Sequence, residues 1–125
     1  MTEFSQSTQS AVGGSIVDET GVRRTVNRAF VNPTAGGNTE IVAAQAAGIR
    51  IRVIAAAAIA ASAVSVKFQS ATTDISATYA LAANGGFVLP DNVSGWFQTS
   101  AAEALNINLS AGVNVGCNIT WVAAT

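Results

Sequence analysis

Apolar and polar residues alternate with a period of two over much of the chain, and this pattern restricts the possible folds more than any other feature. A period of two places every second side chain on one face of a β-strand, whereas a helix needs apolar residues three or four positions apart. The sequence therefore predicts strands that each bury one face. The alternating apolar residues are Ile49, Ile51, Val53, Val64, Val66, Phe68, Leu105, Ile107, Leu109, Val113, Val115, Cys117, Ile119 and Trp121.

Turn-forming residues separate these runs and predict two antiparallel hairpins. Asn84-Gly85-Gly86 lies between residues 79–81 and 87–89, and Asn-Gly supplies the positive φ angles of tight hairpin turns. Ala111-Gly112 separates the last two alternating runs, which we interpret as a hairpin with an Asn-rich outer face. Several short strands with turns at this spacing favour an all-β fold, a two-sheet antiparallel β-sandwich, over a parallel α/β arrangement.

The segment from Ile54 to Ala63 leaves two alternatives open. It is dominated by Ala, the best helix former, so a short helix is one interpretation. We prefer a strand, because it continues the alternation that begins at Ile49 and because small side chains let another sheet or subunit approach closely.

The N-terminal part of the chain has a different composition. Residues 1–21 are rich in Ser, Thr, Gln and Gly, and Val12, Ile16 and Val17 are the residues available for burial. Such a stretch is typical of a flexible arm that orders on a partner.

One strand is expected at residues 22–31, before a cluster of turn formers at residues 32–38. We place the domain boundary at this cluster. The prediction is an extended N-terminal arm over residues 1–38 and a β-sandwich domain over residues 39–125.

The surface that this composition predicts is poor in charge. Charged residues make up 10% of the chain, against about 25% in an ordinary soluble domain, and such a surface is suited to burial against partners. Six basic and seven acidic residues are scattered to a net charge of -1, so we expect no nucleic-acid partner. The longest apolar run, residues 53–61, is far shorter than the roughly 20 residues of a membrane-spanning helix. We expect no membrane partner and, at the N-terminus, no secretory signal.

Residues that carry enzyme chemistry are scarce. The chain has no histidine, the commonest general base and metal ligand, and Asp74, Asp91 and Glu103 each lie beside turn residues, where a solvated role is expected. Cys117 is the single cysteine, which excludes an intrachain disulfide and a multi-cysteine zinc site. We predict a non-enzymatic protein with no catalytic residue, metal or cofactor.

The aromatic residues Phe87, Trp96 and Phe97 form the main aromatic concentration. They could pack in the core, bind sugars or contact a protein partner. Trp96 and Phe97 are adjacent, so on a strand they point to opposite faces and at least one faces away from the core. We therefore predict that Trp96 and Phe97 lie at a subunit interface.

The stretch from Gly48 to Val122, about three fifths of the chain, resembles small virion proteins of tailed bacteriophages. The motifs that carry the resemblance are Ile49-Arg50-Ile51-Arg52-Val53, Val66-Lys67-Phe68-Gln69-Ser70, Leu81-Ala82-Ala83-Asn84-Gly85-Gly86-Phe87-Val88-Leu89-Pro90, Gly95-Trp96-Phe97 and Glu103-Ala104-Leu105-Asn106-Ile107-Asn108-Leu109-Ser110.

This resemblance implies a jelly-roll-like sandwich that forms a homotrimer on the outer capsid surface of the virion, as a capsid decoration (cement) protein does. Such a protein is made in the host cytoplasm and binds the major capsid protein. Because similar sandwiches occur in tail tips and fibres, a tail module that binds a host glycan or surface protein is the alternative. For capsid contact by the arm, the candidate residues are Phe4, Val12, Ile16 and Val17.

Overall fold

The computed structural model describes residues 14–125, which form β-strands and no helix. The all-β prediction is confirmed. Within these residues no helical segment has the length and hydropathy needed to cross a bilayer. The strands are β1 (Gly14–Val17), β2 (Arg23–Val31), β3 (Gly37–Val42), β4 (Arg50–Ala60), β5 (Val64–Ser70), β6 (Thr73–Asp74), β7 (Tyr79–Leu81), β8 (Gly86–Leu89), β9 (Phe97–Gln98), β10 (Leu105–Leu109) and β11 (Val115–Ala124).

Two antiparallel sheets share these strands. The first sheet has the order β1-β2-β11-β4-β8, and β9 also pairs with β4. The second has the order β3-β10-β5-β6, and β7 also pairs with β5. One hydrophobic core joins them, because its buried residues come from both sheets.

The centre of this core is Phe68 on β5, which is fully buried. Its ring stacks on Phe97 with centroids 4.9 Å apart and meets the edge of Phe87 at 6.3 Å. Burying a ring of this size contributes roughly 1.5–3 kcal/mol relative to leaving it exposed. Aromatic residues from β5, β8 and β9 thus fasten the two sheets together.

The Ala-rich segment is a strand through Ala60, so the preferred interpretation is confirmed. Its alternation is interrupted by a β-bulge: Thr120 of β11 pairs with Ala55 and Trp121 pairs with Val53, which leaves Ile54 as an extra residue. A bulge of this kind reverses the face to which later residues point. A strict alternation from Ile49 would have turned Ile59 inward, whereas the bulge turns it outward.

The predicted hairpin of the last two alternating runs is wrong. Strand β10 pairs with β3 and β5 in the second sheet, while β11 pairs with β2 and β4 in the first. The connection through Ala111-Gly112 passes from one sheet to the other. Alternation correctly indicated which side chains face the core, but it does not specify the hydrogen-bonding partner of a strand.

The predicted hairpin around Asn84 is wrong for the same reason, since β7 pairs with β5 and β8 pairs with β4. Asn84 does adopt a positive φ of 59°, as an Asn-Gly turn requires. Gly86 is needed for another reason: a Cβ at this position would lie 2.1 Å from the carbonyl oxygen of Ala58. The missing side chain lets β8 approach β4.

The strand predicted at residues 22–31 is present as β2, and it lies inside the first sheet. Residues 27–31 pair with β11, and Ala29 and Val31 pack against the core. Strand β2, within the predicted arm, is therefore part of the first sheet, and the domain boundary at residue 38 stays a prediction. Residues 1–13 of the predicted arm lie outside the described residues.

Candidate interaction surface

An apolar surface covers much of the outward side of the first sheet. The strand register places Phe30, Asn118, Ala57 and Val88 in one row across β2, β11, β4 and β8. Phe30 and Val88 are each 71% exposed, and Ile59 in the next outward position of β4 is 64% exposed. We call Phe30, Asn118, Ala57, Ile59 and Val88 the open face.

The open face is shaped as a shallow groove of about 810 Å³. Its floor includes Ala55 and Ala57, and Phe30 and Val88 stand on either side. Alanine leaves the floor low because its side chain is a single methyl group. Contiguous apolar surface of this kind marks an interaction site more often than isolated exposed residues do.

Charged residues of opposite sign flank the groove. Arg28 on β2 is in register with Thr120, which is itself in register with Ala55 of β4. Asp91 follows Pro90 at the end of β8, on the far side of the same groove. The groove therefore has a basic residue at one lateral edge and an acidic residue at the other.

The other end of the same outward side is covered by the β1–β2 hairpin. The carboxylate of Asp18, in the turn of this hairpin, lies 3.9 Å from the Arg52 guanidinium on β4, and Arg24 donates to the carbonyl oxygen of Ala123 on β11 at 3.1 Å. The hairpin consequently reaches over the outward side of β11 and β4. Ile54, Val122 and Ala124 are buried on this outward side.

Asp18 holds the hairpin turn together. Its carboxylate accepts hydrogen bonds from the Thr20 hydroxyl at 2.6 Å and from the backbone N–H groups of Thr20 and Val22, and it pairs with Arg24 at 2.7 Å. The Thr20 hydroxyl first, and then the Arg24 guanidinium, hold the pKa of this carboxyl far below its usual range. The charged form is the one that these donors stabilise.

The outward side of the second sheet is polar. The Asn108 amide donates to the Asn38 side chain at 2.6 Å, and the Asn106 amide donates to the carbonyl oxygen of Ala71 at 2.7 Å. Asp74 accepts from Gln69 at 2.6 Å and from Lys67 at 3.1 Å, and these two donors, Gln69 first, lower its pKa. These side chains bond to one another and to the backbone, so their polar atoms find partners within the chain.

The predicted arm contacts are divided between described and undescribed residues. Phe4 and Val12 lie outside the described residues. Ile16 and Val17 lie on β1, where Ile16 is half-buried beside Ile54 and Val17 is exposed. Val17 is thus available to a partner, and Ile16 helps to cover the sheet.

The side chains of the predicted interface pair, Trp96 and Phe97, point to opposite sides of the backbone. Phe97 is half-buried and stacks on Phe68 in the core. Trp96 points outward, 43% exposed, and its indole N–H donates to the carbonyl oxygen of Pro90 at 2.7 Å. A subunit contact through these residues stays a prediction, and Trp96 is the member whose ring is available for it.

Sequence reasoning missed Phe30, Ile59 and Val88. Each is the middle of three consecutive apolar residues, at 29–31, 58–60 and 87–89. A strand cannot turn three consecutive side chains to one face, so such a triplet must turn one apolar residue or two away from the core. The sequence therefore contained a signal for each of these residues. It did not contain the register across four strands, which places the three residues together.

The groups that could support chemistry are either buried or dispersed. Burial raises the pKa of the Cys117 thiol to about 12, so it stays protonated at neutral pH. The Ser70 hydroxyl donates to Glu103 at 2.5 Å. Within residues 14–125, no three His, Cys, Asp or Glu side chains are grouped so that they could hold a metal ion.

Comparison with known proteins gives no assignment: no family model matches the chain, and no curated protein is similar to it.

Proposed function

We propose that this chain is a structural virion protein, a capsid decoration protein that binds the outside of a bacteriophage head and stabilises it by bridging major capsid subunits. The proposal takes the phage assignment, the jelly-roll topology and the trimer from the sequence resemblance. The difference between the two outward sides of the sandwich supports the need for partners.

The open face is the observation that carries the proposal. Phe30, Ile59 and Val88 expose most of their side chains together on the first sheet, while the second sheet presents bonded amides and charges. Exposed apolar surface of this extent lowers solubility unless a partner covers it. A sandwich with one polar and one apolar side fits a module that lies within an assembly and faces solvent on one side.

Attachment to the capsid is assigned to the N-terminal part of the chain. Val17 is exposed on β1, and the sequence before it supplies Phe4 and Val12. A segment that orders on binding can cover much surface per residue and connect adjacent subunits. The stabilisation would come from this added contact area and not from chemistry.

Copy number tests the proposal directly. We expect purified particles of the phage that encodes the chain to contain it in amounts close to those of the major capsid protein, as measured by quantitative gel staining. Particles that lack it should release their genome at a lower temperature, and added protein should restore the original temperature. A few copies per particle, with no effect on genome release, would reject decoration and favour the tail module that binds a host glycan or surface protein.

A further inference from the structure

We propose that the N-terminal segment of this chain, residues 1–13, enters the groove of the open face, with the Val12 side chain seated on the groove floor at Ala57. The occupant of the groove is thus a part of the same chain, which arrives from the start of β1. The inference concerns the isolated protein and goes beyond the proposed function, since it holds whether or not the chain attaches to a capsid.

The β1–β2 hairpin reaches over the outward side of β4 in the direction of the groove. The carboxylate of Asp18, just after β1, lies 3.9 Å from the guanidinium of Arg52, and Ile16 lines a small cavity together with Ile54. Two residues backward along β1 thus correspond to two residues forward along β4. Continuing in this direction along β4 leads to Ala57 on the floor of the groove.

The first described residue lies at the end of the groove. Gly14 lines the small cavity, of about 310 Å³, together with Arg28, Asp91 and Thr120. Those last three residues also line the groove, so the two cavities adjoin there. The 13 residues that precede Gly14 in the sequence therefore leave β1 at the edge of the open face.

The alternation along β1 selects Val12 as the residue that faces the groove. Ile16 is half-buried, whereas Ser15 and Val17 are exposed, so the face that carries Ile16 is the one turned toward the sheet. Val12 is four residues before Ile16, which places it on the same face and about 13 Å further along an extended chain. Ala11 then belongs to the face that points to solvent.

Reach and register agree with this seat. Along β4, Ala57 is three residues beyond Ile54, or about 10 Å, which the step of about 13 Å along the segment covers. The β1–β2 register, continued by two residues, places Val12 opposite Arg28, a residue that lines the groove. Both constraints bring Val12 to the same part of the open face.

The shape and chemistry of the groove suit one valine. The floor is low because Ala57 carries a single methyl group, and Phe30 and Val88 stand on either side. Residues 4–13 carry no charge, so no ionised group loses water when the segment is seated. Because β1 fixes the start of the segment, few residues have to be ordered to bury Val12. The valine fills the floor and leaves the outer sides of Phe30 and Val88 exposed.

This seat divides the N-terminal segment into two parts. Phe4 is eight residues before Val12, up to roughly 26 Å of extended chain, whereas β4 ends three residues beyond Ala57. The segment is therefore long enough for Phe4 to extend past the sheet. Of the two candidate capsid contacts in this segment, Phe4 stays available to a capsid subunit while Val12 is seated.

Thiol reactivity on the groove floor tests the seat. Ala57→Cys places a thiol beneath Val12 in the full chain, and Cys117 is buried, so a neutral reagent such as dithiodipyridine reports on the new thiol. Val12→Asp in this background should release the segment, because a carboxylate is costly to bury in an apolar groove. We expect the reaction rate, measured by absorbance, to rise at least about 10-fold, as for a groove that is covered about nine tenths of the time.

Ala11→Asp is the matched control. It adds the same charge one residue away, on the face of the segment that points to solvent, and should leave the reaction rate at Ala57→Cys unchanged. Ala80→Cys, at an exposed strand position of the second sheet, should react at one rate with either change. Val88→Cys replaces Ala57→Cys if the floor variant fails to fold, and Val12→Asp should accelerate its reaction by a smaller factor because Val88 is more exposed.

Three outcomes would overturn the inference. Equal rates with the wild-type segment, Val12→Asp and Ala11→Asp would mean that the groove is open or covered by something else. Equal acceleration by both substitutions would mean that Val12 is not the inward residue. Protection that increases with protein concentration would assign the covering segment to a second copy. None of these measurements involves particles, so the abundance of the chain in particles decides decoration independently.

Discussion

The outward sides of the two sheets show how one strand pattern can produce opposite surfaces. On the second sheet, the residues between the buried positions are polar, and Asn38, Asn106 and Asn108 use their amides within the surface. On the first sheet, the corresponding positions include Phe30 and Val88, which are mostly exposed. The period of two determines which side chains point away from the core. Their residue types then determine whether that side of the sheet is solvated or binds a partner.

The first sheet also differs along its own length. At one end the β1–β2 hairpin covers Ile54 and Val122, with Asp18 bound to Arg24 and close to Arg52. At the other end no described segment covers Phe30 or Val88. The covered end shows how this protein buries outward apolar residues with its own chain, whereas Phe30, Ile59 and Val88 of the open face stay exposed.

The largest expected effect comes from separating β8 from the first sheet. Gly86→Val places a side chain where a Cβ would be 2.1 Å from the carbonyl oxygen of Ala58, and we expect the free energy of unfolding to fall by about 3 kcal/mol. Urea denaturation followed by tryptophan fluorescence measures it. Gly14→Val is the control, because nothing lies within 4 Å of a Cβ there. Equal stability of Gly86→Val and the wild type would mean that β8 does not lie against β4 as described.

At the covered end, Asp18→Asn should lower the melting temperature at pH 7. As the pH is lowered, the melting temperature of the variant should also fall less than that of the wild type. The folded pKa of Asp18 lies below its unfolded value of about 3.9, so its contribution is present above that pH and is lost as the pH falls below it. The difference in melting temperature between wild type and variant should therefore shrink below about pH 4. Glu19→Gln, in the same turn and exposed, should leave the profile unchanged. A constant difference from pH 7 to pH 2 would contradict the role of the charge.

On the polar side, Asn106→Ala should cost about 1 kcal/mol, the usual contribution of one hydrogen bond. The Asn106 amide donates to the carbonyl oxygen of Ala71, whose backbone has a positive φ of 52°, so the variant should loosen this turn without changing self-association. Thermal unfolding and light scattering measure the two effects. Asn114→Ala, at an exposed position just before β11, is the control, and a change in oligomeric mass would show that the second sheet is also an interface.

The smallest effect on stability is expected at the open face. Phe30→Ser should change the free energy of unfolding by no more than about 0.5 kcal/mol, as is usual for exposed positions. It should nevertheless reduce the fluorescence of a dye that binds apolar surface, while Phe30→Leu should keep it. A large loss of stability in Phe30→Ser would show that Phe30 packs within its own chain, and the contrast between the two outward sides would then be smaller than proposed.

Much of the interior could be predicted from sequence. Leu105, Ile107 and Leu109 are buried as their alternation indicated, and the strand interpretation of residues 54–63 holds through Ala60. The candidate site was predicted less well. Phe97 was assigned to an interface and also packs against Phe68. The adjacency of Trp96 and Phe97 on a strand indicates that their side chains point to opposite faces, but it does not indicate which of the two faces the core.

The sequence by itself determined that the chain is all-β, which side chains alternate, and where it turns, because these properties depend on residues a few positions apart. Tertiary structure decided which strands pair, since Ala111-Gly112 and Asn84-Gly85-Gly86 can join strands of one sheet or pass between two sheets. It also decided where the open face lies. Phe30, Ile59 and Val88 are about thirty residues apart in the chain, and they share one surface only because β2, β4 and β8 are brought into one sheet by hydrogen bonds that no local pattern encodes.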